Sequence, residues 1–162
     1  MKVLIWITEG TWEAAVDAAR THTPVAAETV LLHVTGDDVA RAAHGAFAGL
    51  LGRGHPERDP AARMEALSKA AATTLLDEAG QRLDRPAGRL QLHGRVEREV
   101  VGAAADADLL ICARDGDRSH LGPHSLGPAT RFVVDHAPCP VLLVWPESAP
   151  PLGSLPPPPP RH

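Results

Sequence analysis

The stretch that decides the fold runs from Leu109 to Val144 and reads LLICARDGDRSHLGPHSLGPATRFVVDHAPCPVLLV. It begins with an apolar run, Leu109 to Cys112, which enters a loop rich in glycine and charged residues. A helical pattern follows over Ala129 to His136, and a second apolar run, Val141 to Val144, ends the stretch. The order strand, glycine-rich loop, helix, strand predicts a βαβ unit whose helix N-terminus faces the strand ends.

The same alternation of strands and helices extends over the rest of the chain. Apolar or alternating runs predict three more strands: Val3 to Ile7, Thr29 to Val34 and Arg89 to His93. Apolar residues at helical spacing predict helices that begin at Trp12, with Thr11 as N-cap, and at Val96. This alternation predicts one α/β domain built on a doubly wound parallel sheet, with ligands bound at the carboxyl ends of the strands.

The longest predicted helix begins at Asp59-Pro60, with Asp59 as N-cap and Pro60 in the first turn. Its predicted core-facing stripe is Met64, Leu67, Ala71, Leu75, Ala79 and Leu83. Before it, the pattern predicts a short helix over Val39 to Leu50 and a mobile polar loop over Gly52 to Pro60.

Composition excludes several classes of protein. The 162 residues suit one domain with one core, and 44% of them are hydrophobic. A net charge of −4 and an aromatic content of 3% disfavour nucleic-acid binding. No apolar run approaches the roughly 18 residues of a membrane helix, and the N-terminal apolar run is too short for a signal peptide. Two cysteines without such a signal predict a reduced, cytoplasmic protein.

Proline dominates the last part of the chain and sets it apart from the domain. The predicted division is a domain over residues 1–146 and a disordered, partly polyproline II tail over residues 147–162. The run Pro156 to Pro160 also has the composition of a ligand for an SH3-like groove, although a plain tail is the preferred interpretation.

Three stretches carry a family resemblance: TVLLHV from Thr29, GRVEREVVGAAADADLLIC from Gly94, and HAPCPVLLV from His136. In this order and at these spacings, the chain resembles the universal stress protein family from Lys2 to Trp145. The resemblance implies a five-stranded parallel sheet in the order 3-2-1-4-5, frequent dimerisation through the last strand, and in one subgroup an ATP site.

The ATP-binding subgroup has Gly, two residues, Gly, nine residues, Gly, and then Ser or Thr. This chain has Ala113 in place of the first glycine, ten residues between Gly116 and Gly127, and Pro128 in place of the hydroxyl residue. The aspartate expected after the first strand is replaced by Thr8 or Glu9. The resemblance therefore implies the following candidate nucleotide-binding residues: Thr8, Glu9, Val34 (near adenine), Ala113, Gly116, Gly127 and Pro128.

Lost donors and added charge favour weakened or lost nucleotide binding. Glycine backbone and helix N-termini bind phosphate, whereas proline has no N–H to donate. Asp115 and Asp117 would face the phosphates, with Arg114 and Arg118 partly offsetting their charge. The first hypothesis is a regulatory or stress-response protein that has lost, or weakened, nucleotide binding. The second is a switch that still binds ATP or AMP, and the third is an enzyme that uses the histidine-rich loop.

The last strand is predicted to form a homodimer. In the order 3-2-1-4-5 it lies at the sheet edge, with one row of N–H and C=O groups unpaired and no charged side chain to protect it. The predicted dimer edge is Val141, Leu142, Leu143, Val144 and Trp145, bracketed by Pro140 and Pro146. A proline-rich tail that folds back over this edge is the alternative.

Other polar residues have structural interpretations that we prefer to catalytic or metal-binding ones. His120 and His124 are expected in an exposed loop rather than a zinc site, since Gly122-Pro123 interrupts any helix between them. His33 is expected to be a hydrogen-bonded core residue, and His136 a helix-end residue near the last carbonyls. Ser119 and Ser125 lie in no Gly-x-Ser-x-Gly motif, so we expect neither an enzyme nor a metal.

Overall fold

The computed structural model describes residues 1–37 and 59–161. Its strands and helices, in chain order, are β1 (Lys2–Trp6), α1 (Trp12–His22), β2 (Glu28–Gly36), α2 (Pro60–Leu83), β3 (Gly88–Gly94), α3 (Val96–Ala103), β4 (Leu109–Ala113), α4 (Pro128–His136) and β5 (Val141–Val144). Single 3₁₀ turns lie at Ala104–Asp106, Pro123–Ser125 and Leu152–Ser154. The predicted helix Val39 to Leu50 lies outside the described residues, as does most of the loop Gly52 to Pro60.

The strands form one five-stranded parallel sheet in the order β3-β2-β1-β4-β5. In the register, Ile5 of β1 lies opposite Leu31 of β2 on one side and Ile111 of β4 on the other. This topology confirms the predicted fold class and strand order. The winding reverses beside β1, and this is where doubly wound sheets bind ligands, outside the carboxyl ends of the strands.

Alternate side chains of the sheet enter two separate cores. One core packs under α1 and α2 and includes Val3, Ile5, Ile7, Leu31 and Ile111. The other packs under α3 and α4 and includes Leu4, Trp6, Leu32, Leu110 and Cys112. Because both faces are covered, the central strands have continuous apolar runs instead of an alternating pattern. Fully burying each such aliphatic side chain stabilises the fold by about 1.5–3 kcal/mol.

The predicted apolar stripe of α2 is correct only in its second half. Leu75, Ala79 and Leu83 are buried. Met64 is 42% exposed, Leu67 is 70% exposed and Ala71 is also exposed, so their assignment to the core is wrong. The 24-residue helix packs on α1, β2 and β3, and its first half is separated from the ends of β2 and β3 by a cavity lined by Met64, Ser68, Thr35 and His93.

Thr11 is the N-cap residue of α1, as predicted, but its side chain makes no capping hydrogen bond. Its hydroxyl instead lies 2.7 Å from the hydroxyl of Thr8, and both groups are satisfied within the turn after β1. By contrast, the predicted cap of α2 is confirmed, since Asp59 accepts a hydrogen bond from the backbone N–H of Ala61 at 3.0 Å.

Arg85 closes the other end of α1 from a distant part of the chain. Its Nη2 donates to the carbonyl of Ala19 at 3.0 Å and to the hydroxyl of Thr23 at 2.5 Å. Its Nη1 donates to the carbonyl of Pro24 at 3.0 Å. One guanidinium thus adds a donor to the carbonyl of Ala19, which also accepts from the N–H of Thr23, and binds the carbonyl of Pro24 just after the helix. Its charge suits that end of the helix dipole.

Within residues 1–37 and 59–161, no helix combines the length and apolarity needed to cross a membrane.

We predict that Arg85→Ala lowers the free energy of unfolding by about 2 kcal/mol, because hydrogen bonds to a charged group contribute about 1.5–3 kcal/mol. Arg85→Lys should lower the free energy of unfolding by a smaller amount, since an ammonium group keeps the charge but lacks the guanidinium fork. Urea unfolding followed by circular dichroism measures both. The matched control is Arg82→Ala, which removes an exposed pair with Asp17 and should cost less than about 1 kcal/mol. Equal losses for Arg85→Ala and Arg82→Ala would contradict the capping role.

Candidate functional site

A crevice opens at the carboxyl ends of β2 and β3, beside the N-termini of α3 and α4. Its volume is about 580 Å³, and it is lined by Gly36, Asp37, Gly94, Arg95, Val96, Glu97 and Ala129. Two carboxylates and one guanidinium are therefore among its lining groups. The guanidinium is already paired, with Arg95 Nε 3.3 Å from Glu97 Oε1. This electrostatic balance does not favour a polyanion such as triphosphate.

The loop between β4 and α4 folds back on itself. The N–H of Gly116 donates to the carbonyl of Ser125 at 2.8 Å, and the N–H of Asp117 donates to the carbonyl of His124 at 2.8 Å. A Cβ on residue 116 would overlap the carbonyl oxygen of His124. The loop therefore requires glycine at this position for its own packing. The N–H of Gly116, a candidate phosphate donor, is engaged within the loop.

Asp115 occupies the N-terminus of α4. Its Oδ1 accepts from the N–H of Gly127 at 2.8 Å, and its Oδ2 accepts from the hydroxyl of Thr130 at 2.9 Å. Pro128 begins the helix and contributes no N–H. A negative group at a helix N-terminus is favoured both by the free N–H groups and by the helix dipole. The carboxylate of Asp115 thus caps α4 from within the chain, through one backbone N–H and one hydroxyl.

Arg114 ties the loop to the end of β5. Its Nη1 donates to the hydroxyl of Ser125 at 2.6 Å, and this buried hydroxyl donates onward to the carbonyl of Gly122 at 2.7 Å. The guanidinium carbon of Arg114 lies 4.5 Å from the ring centroid of Trp145. Trp145 follows β5 and is not part of the strand, which ends at Val144. The cation of Arg114 is therefore directed at an aromatic face and a hydroxyl, and not at the crevice.

The proline-rich segment also contacts this loop. Arg118 Nε lies 2.6 Å from Glu147 Oε1, and the N–H of Leu121 donates to the hydroxyl of Ser154 at 3.0 Å. Ser154 belongs to the 3₁₀ turn Leu152–Ser154. The division into a domain of residues 1–146 and a disordered tail stays a prediction, but the described part of the tail makes defined contacts as far as Ser154.

Ser119, His120 and Asp117 lie together on the surface of the same loop. The hydroxyl of Ser119 is 2.6 Å from Asp117 Oδ1 and 2.8 Å from His120 Nδ1. The hydrogen bond from Ser119 lowers the pKa of the Asp117 carboxyl. In a catalytic triad the acid orients the histidine, whereas here it binds the serine directly. The cluster therefore lacks the relay that would activate Ser119 as a nucleophile.

Two histidines have the predicted hydrogen bonds. His33 is only partly buried, and its Nδ1 lies 2.8 Å from the carbonyl oxygen of Ile7. His136 Nδ1 lies 2.8 Å from the carbonyl oxygen of Phe132, and the two rings stack with centroids 4.0 Å apart. Across residues 1–37 and 59–161, no three His, Cys, Asp or Glu side chains are arranged to hold a metal ion.

The two cysteines are both free. Cys112 is buried in the core under α3 and α4, and burial raises the pKa of its thiol to about 12. A thiol with this pKa is protonated at neutral pH and unreactive.

The candidate nucleotide residues do not form one lining. Thr8 is engaged with Thr11, Glu9 is exposed, and Val34 is buried within the core under α3 and α4. Ala113 is the last residue of β4 and is 6% exposed. The crevice is instead lined by residues next to the candidates, such as Gly36 after Val34 and Ala129 after Pro128.

The capping role of Asp115 was only partly predictable from the sequence. The sequence predicts this carboxylate near a bound phosphate, but not its contacts with the N-terminus of α4. A signal was present in Thr130, a hydroxyl in the first turn of the predicted helix, but the twelve-residue separation of Asp115 from Gly127 is much longer than in ordinary capping motifs.

Comparisons with known proteins agree with this fold. The model of the universal stress protein family matches residues 2–144. Hypothetical protein MJ0577 superposes with a TM-score of 0.68 at 19% identity, over 91% of this chain and 97% of that one. The universal stress protein UspA from Lactobacillus plantarum gives 0.63 at 21% identity, over 89% and 97%.

A universal stress protein in complex with cAMP gives a TM-score of 0.60 at 17% identity, over 91% of this chain and 98% of that one. At these identities the likeness shows a shared fold alone. No significant match to a curated protein sequence was found. The family model, however, matches most of the 162 residues, and the chain therefore belongs to the universal stress protein family.

Proposed function

We propose that this chain is a cytoplasmic regulatory protein of the stress response in which nucleotide binding is weakened or lost. The observation that carries the proposal is the carboxylate of Asp115, which accepts hydrogen bonds from Gly127 and Thr130 at the N-terminus of α4. A phosphate at this position would have to displace a covalently attached anion or lie against it.

The energetic argument rests on donors that are already engaged. The N–H groups of Gly116 and Gly127 both donate within the chain, and Pro128 has no N–H. Each hydrogen bond to a charged phosphate contributes about 1.5–3 kcal/mol. The loss of only two of these three donors corresponds to a loss of affinity of roughly 100-fold or more, since about 1.4 kcal/mol is tenfold.

The second candidate function is an adenine-nucleotide switch that binds ATP or AMP. It is favoured by the crevice of about 580 Å³ at the carboxyl ends of β2 and β3. A structural relative in complex with cAMP also favours it, although that ligand belongs to the relative. Nucleotide retained through purification, detected by absorbance of the supernatant after denaturation, would support the switch over the nucleotide-independent protein.

We include homodimerisation through β5 in the proposal. The strand pairs with β4 on one side and ends the sheet on the other. The carbonyls of Pro140 and Val144 accept hydrogen bonds from β4, at Leu110 and Arg114. In a parallel ladder the intervening odd-numbered residues, Val141 and Leu143, therefore direct their backbone groups outward. These outward groups are available to a second copy related by a two-fold axis.

We propose no catalytic turnover, because in the Ser119 cluster the acid Asp117 binds the serine and not His120. The cytoplasmic location is supported by two free cysteines, which suit a reducing compartment.

We predict that Asp115→Asn raises the affinity for ATP by about tenfold or more, because the change removes the competing charge and one of two acceptor oxygens. Isothermal titration calorimetry measures the affinity, and thermal unfolding checks the fold. The matched control is Asp117→Asn, which removes a charge from the same loop but leaves the N-terminus of α4 capped. Micromolar ATP binding by the unaltered protein would contradict weakened binding, and equal effects of the two substitutions would contradict the role of Asp115.

Serine at position 128 should act together with that change. In the Asp115→Asn background, Pro128→Ser supplies one N–H and one hydroxyl, and we expect ATP to bind about tenfold more tightly again. In the protein with Asp115 unaltered, Pro128→Ser should raise the affinity for ATP much less, since Asp115 still caps α4. The four affinities form a double-mutant cycle in calorimetry. Strict additivity of the two changes would show that Asp115 and Pro128 do not act on one site.

The dimer edge is tested by Leu143→Pro against Leu143→Ala. Both substitutions lose the apolar side chain, which packs against the core under α3 and α4. Only proline also removes the outward N–H, and it is tolerated in edge strands whose N–H faces away from the sheet. Sedimentation velocity should show a dimer for the alanine variant and a folded monomer for the proline variant. A monomeric unaltered protein at micromolar concentration would rule out this dimer.

A further inference from the structure

The segment after the 3₁₀ turn is an exposed run of prolines that ends in a cation. Residues 155–161 read Leu-Pro-Pro-Pro-Pro-Pro-Arg, and all are exposed. Leu155 is 54% exposed, and Leu152 in the preceding turn is 78% exposed. Two large apolar side chains beside five prolines offer more exposed apolar surface than a plain solvated linker needs.

The backbone of residues 155 to 160 is restricted to the extended region. Leu155 has φ −62° and ψ 137°, which are polyproline II values. Each residue from 155 to 159 precedes a proline and is therefore confined to the extended region, while each proline has its own φ fixed near −65°. The segment is therefore a left-handed helix with three residues per turn, and its ordering cost is largely met before any partner binds.

Three residues per turn give the segment three edges. One edge holds Leu155, Pro158 and Arg161, the second holds Pro156 and Pro159, and the third holds Pro157 and Pro160. The first two edges form a continuous apolar surface with Arg161 at its end. A groove can bind two edges of such a helix while the third faces solvent.

The start of the helix is fixed to the folded domain. The hydroxyl of Ser154, directly before Leu155, accepts the N–H of Leu121 at 3.0 Å. Glu147 pairs with Arg118 at 2.6 Å nearer the domain. These two attachments hold the proline run beside the loop between β4 and α4.

We propose that residues 155–161 are a docking ligand for a second protein that has an aromatic-lined groove for polyproline II and a carboxylate beside it. The aromatic groove would receive the edges of Leu155 and Pro156, and the carboxylate would pair with Arg161. This proposal is independent of nucleotide binding and of the dimer, since it uses none of their residues.

The test uses the full chain and a defined probe, an isolated ¹⁵N-labelled SH3 domain whose groove is flanked by acidic residues. Titration with the unaltered protein should shift the groove resonances of the probe saturably. Pro156→Ala with Pro159→Ala should weaken binding by about tenfold or more, because both rings enter the groove. Pro157→Ala with Pro160→Ala is the matched control and should retain affinity within about threefold. Arg161→Glu should weaken binding by about tenfold.

Three results would overturn the proposal. One is the absence of saturable shifts with the unaltered protein at millimolar concentration. Another is an equal loss for the two double-proline variants, which would mean that no particular edge is recognised. The third is an Arg161→Glu variant with unaltered affinity. All substitutions lie beyond the packed core, and circular dichroism of each variant verifies that the domain remains folded.

Discussion

The carboxylate of Asp115 is the contact on which the loop and α4 both depend. It connects the end of β4 to the first turn of α4 through the N–H of Gly127 and the hydroxyl of Thr130. Because the carboxylate is part of the same chain, its effective concentration at the helix N-terminus far exceeds that of a dissolved anion. This side chain therefore stabilises the N-terminus of α4, and under the proposed function the same contact opposes the binding of nucleotide.

This contact forms because the fold brings the end of β4 close to the N-terminus of α4. Both faces of the sheet are buried, by α1 and α2 on one side and by α3 and α4 on the other. The pairing of β1 with β4 places the carboxyl end of β4 where the winding reverses. Close approach of Gly116 to the carbonyl of His124 then folds the loop back, so that Asp115 reaches the start of α4.

Much of the fold could be predicted from sequence, because strands buried on both faces have unbroken apolar runs and the turns between elements contain glycine or proline. The strand order came from the family resemblance. Periodicity failed in the first half of α2, since it reports an apolar stripe but not whether another element packs against that stripe. It also could not reveal Arg85 at the end of α1, a tertiary contact between residues 62 to 66 positions apart. The capping role of Asp115 could not be predicted for the same reason, since Asp115 reaches the N-terminus of α4 only when the loop has folded.

The charged side chains of the loop contact two different parts of the molecule. The sequence suggests that Arg114 and Arg118 offset the acidic residues near a bound phosphate. In the structure Arg114 lies against Trp145 and Ser125, and Arg118 pairs with Glu147. The guanidinium groups are thus engaged with the segment that follows β5, while the carboxylate of Asp115 remains at the helix N-terminus. Neither Arg114 nor Arg118 therefore pairs with the carboxylate of Asp115. The loop between β4 and α4 therefore joins the sheet to the proline-rich segment through both of these guanidinium groups.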